Sequence, residues 1–367
     1  MAPKQEKGPA RGAPGGKGVP ADAARAAAPP ALPPPRKASW AQKTVVAIYV
    51  YFIPVFIALN VAMLFSRYTA VPWFIYVLYI NFGPARRASK DGSWPKLLRK
   101  AGLWRHFAEY FPARLHKTAD LDPGARYIFV AHPHGIVSAF CWPVFDTNAT
   151  GFAEKFPGID VHPMTLEVNF RLPLMREFLL AVGVTDASQE ACLRLLGRGG
   201  GAAIMLAVGG AQESLHCQPG TMDLVLKKRK GFVRIALQTG ARLVPVIGFG
   251  ENELFDIRPT QPGSLRDKLQ RALKSTLGFV LPNAVGAPLL FGSTGWMPHA
   301  RPLDVVVGPA IEFDIGRLLK GAPDSEMALE RLVDAFHEQY MEALQKLYDD
   351  NKDKFHKGRR RSMEFVE

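Results

Sequence analysis

Two histidines stand one residue apart in the block His132-Pro133-His134-Gly135. An imidazole titrates near neutral pH and can take a proton from an alcohol hydroxyl. A His-x-His pair can also hold zinc, but only with further ligands at usable spacing. Cys141, Cys192 and Cys217 are scattered and His162 has no evident partner, so the pattern favours proton transfer over a metal site. The block follows Tyr127-Ile128-Phe129-Val130-Ala131, an apolar run of aromatic and β-branched residues that reads as a buried strand. Pro133 cannot donate to a sheet ladder and Gly135 tolerates any backbone angle, so the strand should end here. Strand ends are where α/β proteins place their chemistry.

Three other stretches carry chemistry-bearing residues. The apolar strand 202–208 runs into Gly209-Gly210-Ala211-Gln212-Glu213-Ser214. Gly209 and Gly210 let the backbone turn or approach a ligand closely. Glu213 can orient a histidine, accept a hydrogen bond from substrate, or simply be a surface carboxylate. Gly197 to Gly201 precedes that strand instead of following one, which excludes a dinucleotide loop. Asn169, Arg171 and Arg176 flank Pro173, where two guanidinium groups can hold an anion or form a solvated face. Lys227, Lys228, Arg229 and Lys230 precede Gly231-Phe232, the start of a helix with Phe232, Ile235, Ala236 and Thr239 on one side. A helix N-terminus already favours anions, so a phosphate-bearing ligand can dock there; a solvated charge run is the plainer alternative.

The elements that must position these groups follow from composition and patterning. The 367 residues leave room for one large domain or two small ones, and 48% hydrophobic content can fill a core. The net charge of +13 calls for an anionic partner. No nucleic-acid motif appears, so a membrane surface or a phosphate-bearing cofactor fits better. The odd, scattered cysteines argue against a disulfide framework. Residues 1–43 are rich in Ala, Pro, Gly and Lys and read as a disordered basic tail. Residues 44–65 carry no charge and are long enough to cross a bilayer, with Pro54 in the middle; 69–82 is a shorter apolar run. Together, over 44–85, they read as a membrane hairpin. Basic residues on both flanks place both ends in the cytosol.

From 86 to 350 the chain reads as one catalytic domain. Ser93 to Lys117 mixes tryptophans with cations, as at a membrane interface. Strands near 127, 202, 242 and 304, separated by helical stretches, give an α/β domain with a mixed, mostly parallel sheet flanked by helices. The loops 132–135, 209–214 and 249–251 can then converge on one cleft. Leu265, Leu269, Leu273 and Leu277 mark a basic amphipathic helix, and Leu329 to Leu347 the stripe of a long C-terminal helix. Residues 351–367 read as a basic tail. Asn148-Ala149-Thr150 is a glycosylation acceptor that would face the cytosol unused.

The ordered set Tyr110-Phe111-Pro112, His132-Pro133-His134-Gly135, Asn169-Phe170-Arg171, Gly209-Gly210-Ala211-Gln212-Glu213-Ser214, Arg229-Lys230-Gly231-Phe232 and Leu243-Val244-Pro245-Val246 through Phe249-Gly250-Glu251-Asn252 resembles the acyl-CoA:diacylglycerol acyltransferase type 2 family. The resemblance covers about residues 44–350. It implies an endoplasmic-reticulum membrane enzyme, also found at the lipid droplet surface. Such an enzyme moves a fatty acyl group from acyl-CoA, its co-substrate, to diacylglycerol. It further implies His132-Pro133-His134-Gly135 as the active-site centre, with no metal, no cofactor and no covalent intermediate. A homo-oligomer is left open.

Val208 to Val246 is more distantly similar to glycerolipid acyltransferases that act on phosphorylated acceptors, which implies a glycerolipid-acyltransferase-like fold. Those enzymes carry an arginine in the block corresponding to Gly209–Ser214. Its absence here removes a bidentate phosphate grip and fits an uncharged acceptor. They also place an aspartate five positions after the catalytic histidine. Counting from His134 reaches Ala139 and from His132 reaches Val137, so Glu213 becomes the expected orienting carboxylate. On this reading His134 is the base and His132 its support. Gly135, Asn169, Arg171, Gly209, Gly210, Arg229, Lys230, Gly231 and Phe232 bind substrate. The same chemistry on monoacylglycerol or a long-chain alcohol, a non-catalytic lipid scaffold, and a zinc-dependent hydrolase are the rivals.

Overall fold

The computed structural model describes residues 34–258, 283–312 and 326–366, with a few positions between 261 and 272. Eleven strands lie in this region: β1 Arg114–Lys117, β2 Tyr127–His132, β3 Asp160–Thr165, β4 Thr185–Asp186, β5 Ala202–Leu206, β6 Asp223–Leu224, β7 Arg242–Phe249, β8 Asp256–Ile257, β9 Ala284–Val285, β10 Asp304–Val307 and β11 Glu364–Phe365. Seven form one sheet in the order β1-β10-β7-β2-β5-β3-β4. β2 pairs in parallel with β5 and β7, and β3 in parallel with β5 and β4. β10 runs antiparallel to β7 and carries β1 beside it. The expected mixed, mostly parallel sheet is therefore present.

Both sheet faces are covered, which explains the continuous apolar runs. Along β2, Tyr127, Phe129 and Ala131 enter one core, rich in phenylalanine, while Ile128 and Val130 enter the other. β7 divides likewise, with Val244 and Val246 on the first face and Leu243, Ile247 and Phe249 on the second. The second core is closed by α4 Gln189–Leu196, α5 Gly231–Thr239 and α6 Glu326–Phe355, with α5 packed between the other two. Val333, Phe336, Tyr340, Leu344 and Leu347 form the buried stripe of α6; Leu329 is exposed. The first core is closed by α3 Met175–Val182 and the amino-terminal helices.

Those helices are α1 Trp40–Met63 and α2 Arg67–Phe82, joined by three residues. α1 is the one described helix long and apolar enough to cross a membrane. At about 1.5 Å per residue, the 16 residues of α2 rise roughly 24 Å, short of a roughly 30 Å hydrocarbon core. Phe65, Phe74, Ile75 and Phe82 are among many apolar side chains left exposed on this pair. Three of its polar side chains bond to the catalytic domain. Asn60 Nδ2 donates to Pro173 O at 2.9 Å, Tyr76 O–H to Glu177 Oε1 at 2.7 Å, and Asn81 Nδ2 to Arg171 O at 3.1 Å. Near the start of α1, Val45, Val46 and Tyr49 are buried, and the Tyr49 hydroxyl donates to Val137 O.

Two expectations need correction. Residues 351–367 are not a tail: α6 continues to Phe355, and β11 pairs in parallel with β6. The stretch 93–117, expected at a membrane interface, is not interfacial throughout, since its end forms β1 and Trp104, Phe107 and Tyr110 are buried in the protein. The tail 1–33 and most of the amphipathic segment 265–277 lie outside the described residues.

Candidate active site

Because β2, β3, β5 and β7 are parallel, their carboxyl ends share one sheet edge. His132-Pro133-His134-Gly135 leaves β2 there, Gly209-Gly210 leaves β5, and Gly250-Glu251 leaves β7. Hydrogen bonds tie the three exits together. Glu213 Oε2 accepts the His134 main-chain N–H at 2.5 Å, and its Oε1 accepts that of Val225 at 2.9 Å. Glu251 accepts the N–H groups of Ala139 and Phe140, each at 3.0 Å. Two buried carboxylates thus hold the loop 133–140 from either end.

The glycines fit this clamp. At Gly135, φ is +61° and an added Cβ would lie 2.4 Å from Glu251 Cγ; at Gly209 it would lie 2.2 Å from Glu213 Oε2. Both carboxylates therefore pack directly against backbone that only glycine leaves open. Burial raises both acids, Glu213 to about 7 and Glu251 to about 8.

The two histidines differ in surroundings. His132 has the strand parity of Ile128 and Val130, which drives its ring into the second core. It is fully buried, with Nε2 3.0 Å from the Tyr340 hydroxyl. That hydroxyl donates to Val130 O at 3.3 Å, so Nε2 of His132 carries the hydrogen and donates to it. Burial lowers the His132 pKa to about 3, so the ring is neutral at physiological pH. His134 is half-buried, and its Nδ1 lies 3.1 Å from Gly135 O. A carbonyl only accepts, so Nδ1 carries the hydrogen and Nε2 keeps a lone pair. Burial also lowers the His134 pKa, favouring the neutral ring.

The expectation that Glu213 orients the His134 ring meets a different arrangement. Glu213 fixes the main chain of His134, and the neighbouring carbonyl of Gly135 fixes the ring. Glu251 was not among the sequence candidates. The signal for it was its place at the end of an apolar strand, in Phe249-Gly250-Glu251-Asn252.

The remaining candidates lie around this centre. Asn169 and Arg171 follow β3 at the same edge, two strands from β2. Asn169 bonds Thr165 Oγ1 at 3.0 Å, and the exposed Arg171 guanidinium lies 3.6 Å from Glu167. Arg176, expected to hold an anion, is buried and satisfied internally by Glu177 and Ala85 O. Lys227, Lys228 and Arg229 are exposed, while Lys230 is paired with Asp334 at 2.6 Å. Gly231 opens α5, and Phe232 is buried edge-on against Tyr340 with ring centroids 5.0 Å apart. Phe232 therefore reaches the site only through the Tyr340–His132 pair. Among the described residues no cluster of His, Cys, Asp and Glu is arranged to hold a metal.

Residues 62–365 match the family model described as diacylglycerol acyltransferase. The chain belongs to the diacylglycerol acyltransferase family. It is 43% identical over 298 residues to diacylglycerol O-acyltransferase 2A of Umbelopsis ramanniana, covering 80% of this chain and 82% of that one. It is 37% identical over 310 residues to diacylglycerol O-acyltransferase 2 of Dictyostelium discoideum, covering 84% and 90%. It is also 38% identical over 297 residues to human acyl-CoA wax alcohol acyltransferase 1, covering 80% and 86%. For this member of the diacylglycerol acyltransferase family, the matched span takes in every described strand, including β11.

Proposed function

We propose that the protein transfers a fatty acyl group from acyl-CoA to the free hydroxyl of diacylglycerol, forming triacylglycerol and coenzyme A. The observation that carries this is a neutral, half-buried His134 with its Nε2 lone pair unused by the Gly135 bond, at the sheet edge of a diacylglycerol acyltransferase family chain. His134 Nε2 takes the proton as the acceptor oxygen attacks the thioester carbonyl carbon. The tetrahedral intermediate collapses with cleavage of the C–S bond, and the thiolate leaves with the proton. Main-chain N–H groups at Gly135 and Gly209 stabilise the oxyanion. His132 supports the loop through Tyr340. Arg171, Lys227, Lys228 and Arg229 attract the phosphates of coenzyme A; Lys230 first has to leave Asp334.

The domain is read as glycerolipid-acyltransferase-like, spanning 86 to 366, and the expected tail 1–43 is shortened at its end, because α1 already starts at Trp40 behind the Ser39 cap. The pair α1–α2 is read as a membrane hairpin at the cytosolic face of the endoplasmic reticulum. Its exposed apolar surface supports this, as do polar groups satisfied by protein where lipid offers no partner. Tyr49 then links the bilayer-facing helix to the loop that carries His134.

The wax alcohol acyltransferase relative supports one second reading, a long-chain alcohol as acceptor. Microsomes containing the protein, labelled oleoyl-CoA and equimolar diacylglycerol, monoacylglycerol and hexadecanol decide between them. Triacylglycerol is expected as the main labelled product. Predominant wax ester would move the acceptor and keep the mechanism.

A further inference from the structure

We propose that the C-terminal strand β11 is a positioning element for His134, acting through Glu213. The inference rests on the reading of His134 as the base. The chain of contacts is short. Glu213 has two carboxylate oxygens and spends one on the His134 N–H and the other on the Val225 N–H. Val225 directly follows β6, and β6 has β11 as its strand partner. Arg360 N–H donates to Gly220 O at 2.7 Å, Glu364 N–H to Met222 O at 3.0 Å, and Val366 N–H to Leu224 O at 2.9 Å. Arg361 adds an ion pair to Asp223 at 2.5 Å. Met363 is buried in the second core beside Met222 and Leu224.

The opposite side of the same segment rests on the loop after β7. Asn252 Nδ2 donates to Thr221 O at 2.9 Å, and Glu253 Oε1 accepts the Gly220 N–H at 3.2 Å. Residues 220–225 are thus held between the active-site loop and the chain terminus. A two-residue strand has little stability of its own, so β6 keeps its place only while both sides hold. If β11 leaves, Val225 shifts and Glu213 loses one of its two anchors. The carboxylate then hydrates and turns, and the His134 main chain loosens with it. Catalytic geometry is sensitive at this scale, since a displacement of about 1 Å can cost about 10²-fold in rate.

The strand bonds are made by main-chain N–H groups, which suggests a clean test. Glu364→Pro removes the donor to Met222 O, whereas Glu364→Ala keeps it. In full-length protein assayed with oleoyl-CoA and diacylglycerol, Glu364→Pro should lower kcat by about tenfold, a modest part of that geometric sensitivity. Both KM values should stay unchanged, and Glu364→Ala should match the parent. Combining Glu364→Pro with Glu213→Gln should cost no more than Glu213→Gln alone, because both act on one link. Parental kcat in Glu364→Pro, or losses that multiply in the double variant, would overturn the proposal. If Glu364→Pro does not fold, Arg361→Ala decides: a several-fold lower kcat restored by Arg361→Lys supports it, and parental kcat overturns it. The parent's own product in the same assay tests the acyltransferase reading separately from the ratio of variant to parent.

Discussion

Replacing His134 with alanine is expected to lower kcat by about 10²–10⁴-fold, the usual contribution of a positioned general base. Membrane association and the thermal unfolding midpoint should be unchanged. The ring is half-buried and bonds to the adjacent Gly135 carbonyl, so little packing is lost. The pH dependence carries the same prediction. Burial holds the His134 pKa below the ordinary imidazole value of 6.5. The neutral, proton-accepting form then persists below pH 6.5, and kcat/KM of the parent should stay level through that pH before falling at lower pH. An acid limb centred above 6.5 would mean that a different group is the base. Residual activity of the alanine variant should show no such limb.

Glu251→Ala is expected to have the second large effect, on stability and activity together. Removing the carboxylate leaves the buried Ala139 and Phe140 N–H groups without acceptors, at about 1–3 kcal/mol each. The loop that carries His134 loosens at the same time, so kcat should fall alongside the unfolding midpoint. The sign of the pH effect follows from the raised pKa. The folded protein holds the Glu251 proton up to about 8, against an ordinary value of 4.5. Its contribution to stability is full below about pH 4.5, is lost progressively as pH rises to about 8, and changes no further above that. The parent's unfolding midpoint should therefore decline across that window more steeply than that of Glu251→Gln, which does not titrate. Thermal unfolding of the two proteins between pH 5 and 9 measures this; parallel curves would remove Glu251 from the account.

Much of this arrangement is legible in the amino-acid order. The run Tyr127–Ala131 ends at a proline and a glycine, and β2 stops at His132. Strands expected near 202, 242 and 304 are all present, and because those on β2's two sides are parallel, their exits meet on one edge. What was illegible has physical causes. β3 contains His162 and Pro163, which break its apolar pattern, and β4 and β6 are two residues each. The basic composition of 351–367 hides a strand whose partner lies about 140 residues earlier, a distance over which local patterning carries no signal. The group that fixes the His134 ring is a main-chain carbonyl, which every residue possesses. Glu213 was visible, but a carboxylate's type does not reveal whether it will bind a side chain or a backbone N–H.

The most direct test of the central claim follows coenzyme A thiol release and labelled triacylglycerol formation together, from labelled oleoyl-CoA with and without diacylglycerol. Direct transfer to an acceptor activated by His134 predicts thiol release only when diacylglycerol is present, one thiol per triacylglycerol, and both products slowed together by about 10²–10⁴-fold in His134→Ala. A burst of thiol without acceptor, or triacylglycerol formed at the parental rate by His134→Ala, would contradict it.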